Sequence, residues 1–201
     1  MIRVPPGRAG QVWLRRRLAT AHRGIDILSR KQQLLAGERT RRSAQAATAE
    51  AAWTGACAAA EQWCSRSLRL GHRGQIALIA AQIDSPATIA VDWRNVMAVS
   101  LPGESRCEFP DFGLAAASGG SSATDRAVLA LADAVKKAAD HAAIQRGLAN
   151  IDAELVQTRR RLRLLQRRRL PQLEQALRES RERLAQSERE DTLRLRWARE
   201  H

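Results

Sequence analysis

The sequence predicts a mainly α-helical protein: a long antiparallel two-helix coiled coil, formed by the N- and C-terminal helices, with a short middle region containing a β-hairpin. Aromatic residues make up only 3% of the 201 residues and tyrosine is absent, a composition typical of long helices. Near both ends, apolar residues recur in alternating steps of four and three, which is the heptad pattern of a coiled coil. We expect three segments, at 1–70, 71–123 and 124–201.

The N-terminal helix carries a heptad stripe that no proline interrupts between Leu14 and Leu70. We expect the helix to begin near Gln11, after a leader that contains Pro5 and Pro6. The stripe also places Arg39 and Arg42 at consecutive seam positions, where either the partner helix supplies acceptors or the pair loosens. The apolar seam residues of this helix are Leu14, Leu18, Ile25, Leu28, Leu35, Trp53 and Trp63.

The middle region changes from helical to β-rich patterning after Pro86. Residues 88–93 and 96–100 are β-rich runs joined at Arg94-Asn95, which predicts a hairpin at about 88–100 that includes Asn95 and Met97. Residues 101–123 open with Pro102 and are rich in glycine and serine, so we expect a flexible loop. The apolar run before the hairpin, 75–83, fits a buried helical turn and a strand equally well.

The C-terminal helix is predicted to start at an N-cap formed by Thr124-Asp125. An extra four-residue step at Gln166 is a stutter, which locally unwinds a supercoil. Pro171 removes one backbone hydrogen bond inside the helical pattern, so we expect a kink beside it. The seam residues of this helix, which we expect to pair with the first seam, are Leu155, Leu162, Leu173, Leu177 and Leu184.

The formal net charge of +13 comes almost entirely from arginine. A basic balance fits nucleic acid, an anionic membrane surface or an acidic protein cavity, and charge alone does not choose among them. A solvent-exposed helix surface whose basic residues are arginines explains the same composition.

Catalytic, cofactor-binding and metal-binding motifs are missing from the sequence, so we expect no catalytic residues, no cofactor and no metal. The four histidines are widely spaced, and the three cysteines form no CxxC pair, which favours reduced thiols in a cytosolic protein. The longest uncharged stretch rich in branched apolar residues is about half as long as a membrane-spanning helix, so we expect no direct membrane insertion. The cysteines are Cys57, Cys64 and Cys107, and the histidines are His22, His72, His141 and His201.

Several short motifs occur in the order and spacing of one family. Leu170-Pro171-Gln172-Leu173 matches an I-P-x-L run, and Glu188-Arg189-Glu190 with Leu193-Arg194-Leu195-Arg196 matches an E-R-E…F-R-L-K ending. Residues 94–99 are similar to R-N-I-M-G-V, with Ala98 in place of glycine. On these motifs the chain resembles the D subunit of the V-type and archaeal-type rotary ATPases and ATP synthases.

The resemblance implies a non-catalytic central rotor shaft that couples ATP hydrolysis or synthesis on a catalytic ring to rotation of a proton- or sodium-translocating membrane ring. The implied partners are the A and B subunits of the catalytic ring, the F subunit of the stalk, and the protein that links the stalk to the membrane ring. The implied location is cytoplasmic and peripheral to the membrane. Candidate contacts to the catalytic ring are Arg15, Arg17, Arg194 and Arg196.

Two other interpretations share parts of this pattern. An arginine-rich coiled coil that binds nucleic acid would explain the charge, but basic and acidic residues are interleaved around the helices and no module that reads DNA or RNA is present. The γ shaft of an F-type enzyme also has a coiled coil, but its middle domain is usually larger than the segment available here. We therefore expect no nucleic acid partner.

Overall fold

The computed structural model describes residues 4–71, 73–81, 86–110 and 122–200. It confirms a mainly α-helical fold with long N- and C-terminal helices packed together and an antiparallel hairpin between them. His72, His201, residues 82–85, which include the end of the apolar run 75–83, and residues 111–121 of the expected loop lie outside the described residues. The elements are α1 (Gly7–Arg69), α2 (Arg73–Ala81), β1 (Thr88–Val96), β2 (Val99–Glu108), α3 (Ser122–Leu164), a π-helical turn (Leu165–Arg169) and α4 (Leu170–Glu200).

Helix α1 is a single helix of 63 residues that begins at Gly7, earlier than the expected start near Gln11. The leader folds back along the helix, and its partly buried Val4 packs against the apolar cluster of the first unit described below. Gly10 is buried, and a side chain there would collide with the backbone of Pro5. The helix therefore accommodates the folded-back leader by means of a residue without a side chain.

The chain packs as two compact units, Met1–Leu34 with Leu155–His201, and Leu35–Glu154. In the first unit, four buried residues form an apolar cluster, supported by Trp13, Leu18 and Leu170 among others. Arg8 contacts Glu188 and Gln11 contacts Ser180, so the two helical segments run antiparallel. The clustered residues are Leu14, Ala21, Leu173 and Leu177.

The second unit pairs α1 with α3 through small and branched apolar residues. Leu35 and Ile151 are fully buried. Arg39 contacts Asp152 near one end of this unit and Ser67 contacts Thr124 near the other, so these segments are also antiparallel. Because so many buried positions are alanine, the helices can approach closely while burying few bulky side chains. The other buried apolar helix residues of this unit are Ala46, Ala60, Ala123, Ala127, Ala134 and Ala143.

The hairpin is longer than expected, and its turn lies at Met97 and Ala98 rather than at Arg94-Asn95. Both turn residues have positive φ, 52° and 63°, as a two-residue type I′ turn requires. Local propensity disfavours that conformation for residues other than glycine, asparagine and aspartate, which is why the sequence pattern points elsewhere.

The second strand continues to Glu108, although residues from 101 onward are expected to be loop. Pro102 and Gly103, which predict a turn, instead lie beside a β-bulge where Asp92 alone faces Gly103 and Glu104. A bulge is one of the few places in a sheet that accept proline and glycine.

The run before the hairpin, whose sequence fits two structures, is helical as α2 over Arg73–Ala81. Helix α3 begins at Ser122, so Thr124 is inside the first turn instead of capping it. The Thr124 hydroxyl instead forms a hydrogen bond with the Ser67 hydroxyl of α1, with the two oxygens 2.9 Å apart.

A π-helical turn over Leu165–Arg169 contains the position of the expected stutter and ends two residues before Pro171, where a kink is expected. The Leu170 N–H donates to the Leu165 carbonyl, five residues back, rather than to the residue four back. The wider turn coincides with the stutter at Gln166 and precedes a proline that has no N–H to donate.

Candidate functional site

The hairpin is held to the helices of the second unit by a buried arginine. Arg42 on α1 is 11% exposed, and its Nη1 donates to the carbonyl oxygen of Pro102 at 3.0 Å. Its Nε donates to Glu38 Oε1 at 3.0 Å, and Arg41 donates to the same oxygen at 2.7 Å. The seam arginine therefore meets acceptors on the hairpin and on its own helix.

Glycine on α3 makes room for this guanidinium. A Cβ placed on Gly147 would lie 2.6 Å from Nη1 of Arg42 and 3.5 Å from Cδ of Pro102. Any side chain at this position would therefore require the guanidinium to shift, at the expense of its hydrogen bond to the Pro102 carbonyl. The sequence pattern does not single out Gly147, because a glycine inside a helix signals a close approach without saying what approaches.

Two further hydrogen bonds anchor β2 to α3. Asn150 Nδ2 donates to the Ser100 carbonyl at 2.9 Å, and the Ser105 hydroxyl donates to a carboxylate oxygen of Asp140. Val99 and Leu101 are buried beside these bonds, with exposures of 6% and 0%. Strand β2 is thus docked by polar and apolar contacts together.

The charge of Glu38 is tied to this anchor. The hydrogen bond from Arg41 lowers the pKa of the Glu38 carboxyl below its usual range, burial acts in the opposite direction, and the bond from Arg42 adds to the lowering. Glu38 therefore stays ionised near neutral pH, where it can accept from both arginines.

The other seam arginine is satisfied by the opposite helix. Arg39 Nε lies 2.6 Å from Asp152 Oδ1, and this pairing raises the pKa of Arg39. Both side chains are about half exposed, so the pair contributes little to the free energy of unfolding. Its clearer effect is geometric, because it opposes sliding of α1 along α3.

The two tryptophans at predicted seam positions of the second unit make ring contacts. Trp53, 36% exposed, stacks on His141 with ring centroids 5.3 Å apart. Trp63 has the guanidinium carbons of Arg66 and Arg126 at 5.2 and 5.9 Å from its ring centroid. These are cation–π distances, worth about 0.5–1 kcal/mol each at exposed sites.

The remaining predicted seam residues are at least partly buried. Leu14, Leu35, Leu155, Leu173 and Leu177 are buried. The rest have intermediate exposure: Leu18, Ile25, Leu28, Trp63, Leu162 and Leu184.

One seam polar group has no partner. The Thr158 side chain is completely buried, and its hydroxyl makes no hydrogen bond with any described residue.

The arginines that the sequence singles out as ring contacts are all exposed. On α1, Arg17 lies over the Trp13 ring at 4.8 Å. On α4, Arg194 lies 3.9 Å from Asp191. The antiparallel pairing places Arg15 and Arg17 beside the Leu14 cluster, whereas Arg194 and Arg196 come after Glu188, further along α4. The structure therefore does not bring the two pairs together.

The end of α4 exposes large apolar side chains alongside its arginines. Leu193, Leu195 and Trp197 are 63%, 65% and 66% exposed. The hairpin residues singled out from the sequence are also at the surface, Asn95 on β1 and Met97 in the turn. Both places are suited to contacts with other proteins.

No group of three His, Cys, Asp or Glu side chains in the described part of the chain is arranged to hold a metal ion. Cys57, Cys64 and Cys107 are free thiols. None of the described helices has an apolar stretch sufficient to cross a bilayer.

Comparison with known proteins agrees with this description. The family model for the D subunit of ATP synthase matches residues 11–200, which is nearly the whole chain. A search of curated proteins found no match. The matched region includes both long helices, the hairpin and the π-helical turn. The chain therefore belongs to the ATP synthase D-subunit family, the stalk subunits of rotary ATPases.

Proposed function

We propose that the chain is the central rotor shaft of a V/A-type proton- or sodium-translocating ATPase or ATP synthase. It would couple ATP hydrolysis or synthesis on the catalytic subunits to rotation of the membrane ring, without catalysing a reaction itself. The observation that carries the proposal is the match of residues 11–200 to the D-subunit family. The complex would place it on the cytoplasmic side, peripheral to the membrane.

A shaft must resist sliding of one helix along the other while it carries torque. In the first unit, the Leu14 cluster and the Arg8–Glu188 pair oppose such sliding. In the second, the Arg39–Asp152 pair and the buried Ser67–Thr124 hydrogen bond do the same. The exposed pairs add little stability, but each of these polar contacts is satisfied in one register only.

The end of α4 is the part best suited to enter the ring formed by the A and B subunits. Leu193, Leu195 and Trp197 would contact apolar ring residues, and Arg194 and Arg196 would meet acidic or polar ones. Arg15 and Arg17 would add contacts from α1.

The second unit would carry the contacts with the F subunit and with the protein that links the stalk to the membrane ring. The docked hairpin exposes Asn95 and Met97, and α3 exposes Leu131 and Val135, 48% and 41%. Exposed apolar side chains on a rigid support suit a protein partner better than they suit solvent.

Co-purification tests the proposal directly. The tagged full-length chain, recovered from its own cell, should bring down the A, B and F subunits. Their absence, with a steeply salt-dependent affinity of the chain for DNA, would instead favour the arginine-rich nucleic-acid-binding function.

Charge reversal tests the ring contacts separately. Reversing Arg15, Arg17 and Arg194 together to Glu should weaken assembly with the ring or uncouple hydrolysis from rotation. A matched control reverses Lys136 and Arg146, exposed residues of the second unit, and should leave the ring contact intact. Normal assembly and coupling in the first variant would refute these contacts.

A further inference from the structure

The outer edge of β1 has no partner strand among the described residues. The sheet has two strands, and eight of the nine β1 residues are exposed. Val96 and Val99 flank the two-residue turn, so they form a hydrogen-bonded pair, and bonding alternates from there along β1. Backbone N–H and C=O groups therefore point outward at alternate residues, namely Ile89, Val91, Trp93 and Asn95.

The outer edge of β2 is used differently. The same alternation makes Ser100 and Pro102 its outward-pointing residues near the turn. Their carbonyls accept hydrogen bonds from Asn150 and Arg42, and proline has no N–H to leave unpaired. The helices therefore occupy the edge of β2, and the edge of β1 remains available.

Strand β1 lacks several of the features that usually block edge pairing, although it carries two charged residues, Asp92 and Arg94. It contains no proline and no lysine, and the bulge lies on β2. The side chains of the residues whose backbone groups point outward all lie on one face of the sheet. Two of them are large, apolar and exposed: Ile89 at 48% and Trp93 at 56%. An open, partly apolar edge of nine residues is a site for adding another strand.

We propose that this edge binds β1 of a second copy of the chain, antiparallel and centred on Trp93. This register places Asp92 opposite Arg94 of the second copy, twice by symmetry, and the two Trp93 side chains opposite each other. Asp92 is free to form that pair, because its side chain is 66% exposed and its only ion pair among the described residues is with Arg106 at 3.9 Å. The charge pattern of β1 is thus complementary to itself, and the pairing requires the Arg94 guanidinium to turn from its place over Gly103 of the same hairpin toward the second copy.

The pairing would join the two docked hairpins into one four-stranded sheet. Outward groups of Trp93, Val91 and Asn95 would be satisfied on both copies. We expect the dimer in the free chain, where it would cover an edge strand that is otherwise open to aggregation. The inference does not depend on the proposed rotor function.

Sedimentation equilibrium of the purified full-length chain, over a range of concentrations, tests this inference. We expect a monomer–dimer equilibrium. Asp92→Arg and Arg94→Asp, each alone, should raise the dimer dissociation constant about tenfold or more, since each replaces two cross-strand attractions by repulsions. The double variant D92R/R94D restores opposite charges and should restore the dimer.

A proline at an outward-pointing position supplies an independent variant. Val91→Pro removes an N–H that the hairpin does not use, so the hairpin should persist and the dimer should be lost. A chain that is monomeric at every concentration would overturn the inference. So would a dimer that survives Val91→Pro, or charge variants that the double exchange fails to rescue.

Discussion

Replacing Gly147 by alanine should destabilise the protein, although alanine is the better helix former. The new Cβ would lie 2.6 Å from Nη1 of Arg42, so the guanidinium must shift, and we expect it to lose its hydrogen bond to the Pro102 carbonyl. Losing a hydrogen bond that involves a charged group costs about 1.5–3 kcal/mol. The higher helix propensity of alanine offsets up to about 1 kcal/mol of this cost. We therefore expect the free energy of unfolding to fall by about 0.5–2 kcal/mol.

Urea denaturation followed by far-UV circular dichroism measures this change in the free energy of unfolding. Gly55→Ala on α1 is the matched control, because nothing lies within 4 Å of its Cβ position and only the propensity gain of about 1 kcal/mol remains. In an Arg42→Met background, Gly147→Ala should become stabilising too, since the clash is gone. A Gly147→Ala chain stabilised as much as the Gly55→Ala chain would refute the steric reasoning.

Three other changes have defined outcomes. Ala98→Gly should raise the free energy of unfolding by about 1 kcal/mol in urea denaturation, because glycine adopts the 63° φ of this turn residue without strain; an unchanged or lower value contradicts a positive φ. Thr158→Val should stabilise by about 1–3 kcal/mol by removing an unpaired buried hydroxyl, whereas Thr48→Val, at an exposed position on α1, should change little. The Glu38 carboxyl has a lowered pKa in the folded chain, so it contributes stability above its unfolded pKa of about 4.3 that is lost as the pH falls through the folded pKa. Unfolding measured against pH should therefore show Glu38→Gln less stable than the unmodified chain at pH 7 and approaching it in acid, and a difference independent of pH would contradict this assignment.

Local patterning was sufficient for the long helices, since heptad spacing depends on which residues face a partner rather than on the partner's identity. Leu14, Leu35, Leu155 and Leu173 all lie at predicted seam positions and are buried. The stutter before Pro171 likewise pointed to the segment that contains the π-helical turn.

Tertiary contacts explain what patterning missed. The strained turn at Met97-Ala98 occurs where local propensity argues against it, in a hairpin that Arg42 and Asn150 hold by its second strand. Thr124 resembles a cap in sequence but bonds to α1 across the helix pair. Such contacts join residues far apart in the chain, and neither partner carries a local signal of the other.

Single-molecule rotation tests the rotor proposal most directly. The catalytic subunits would be fixed to a surface, and a probe would be attached to Arg146→Cys, an exposed position of α3, in a chain whose Cys57, Cys64 and Cys107 are replaced by Ser. We predict unidirectional, stepwise rotation of the probe when ATP is added. A probe that stays still while the same complexes hydrolyse ATP would contradict the proposal that this chain is the shaft.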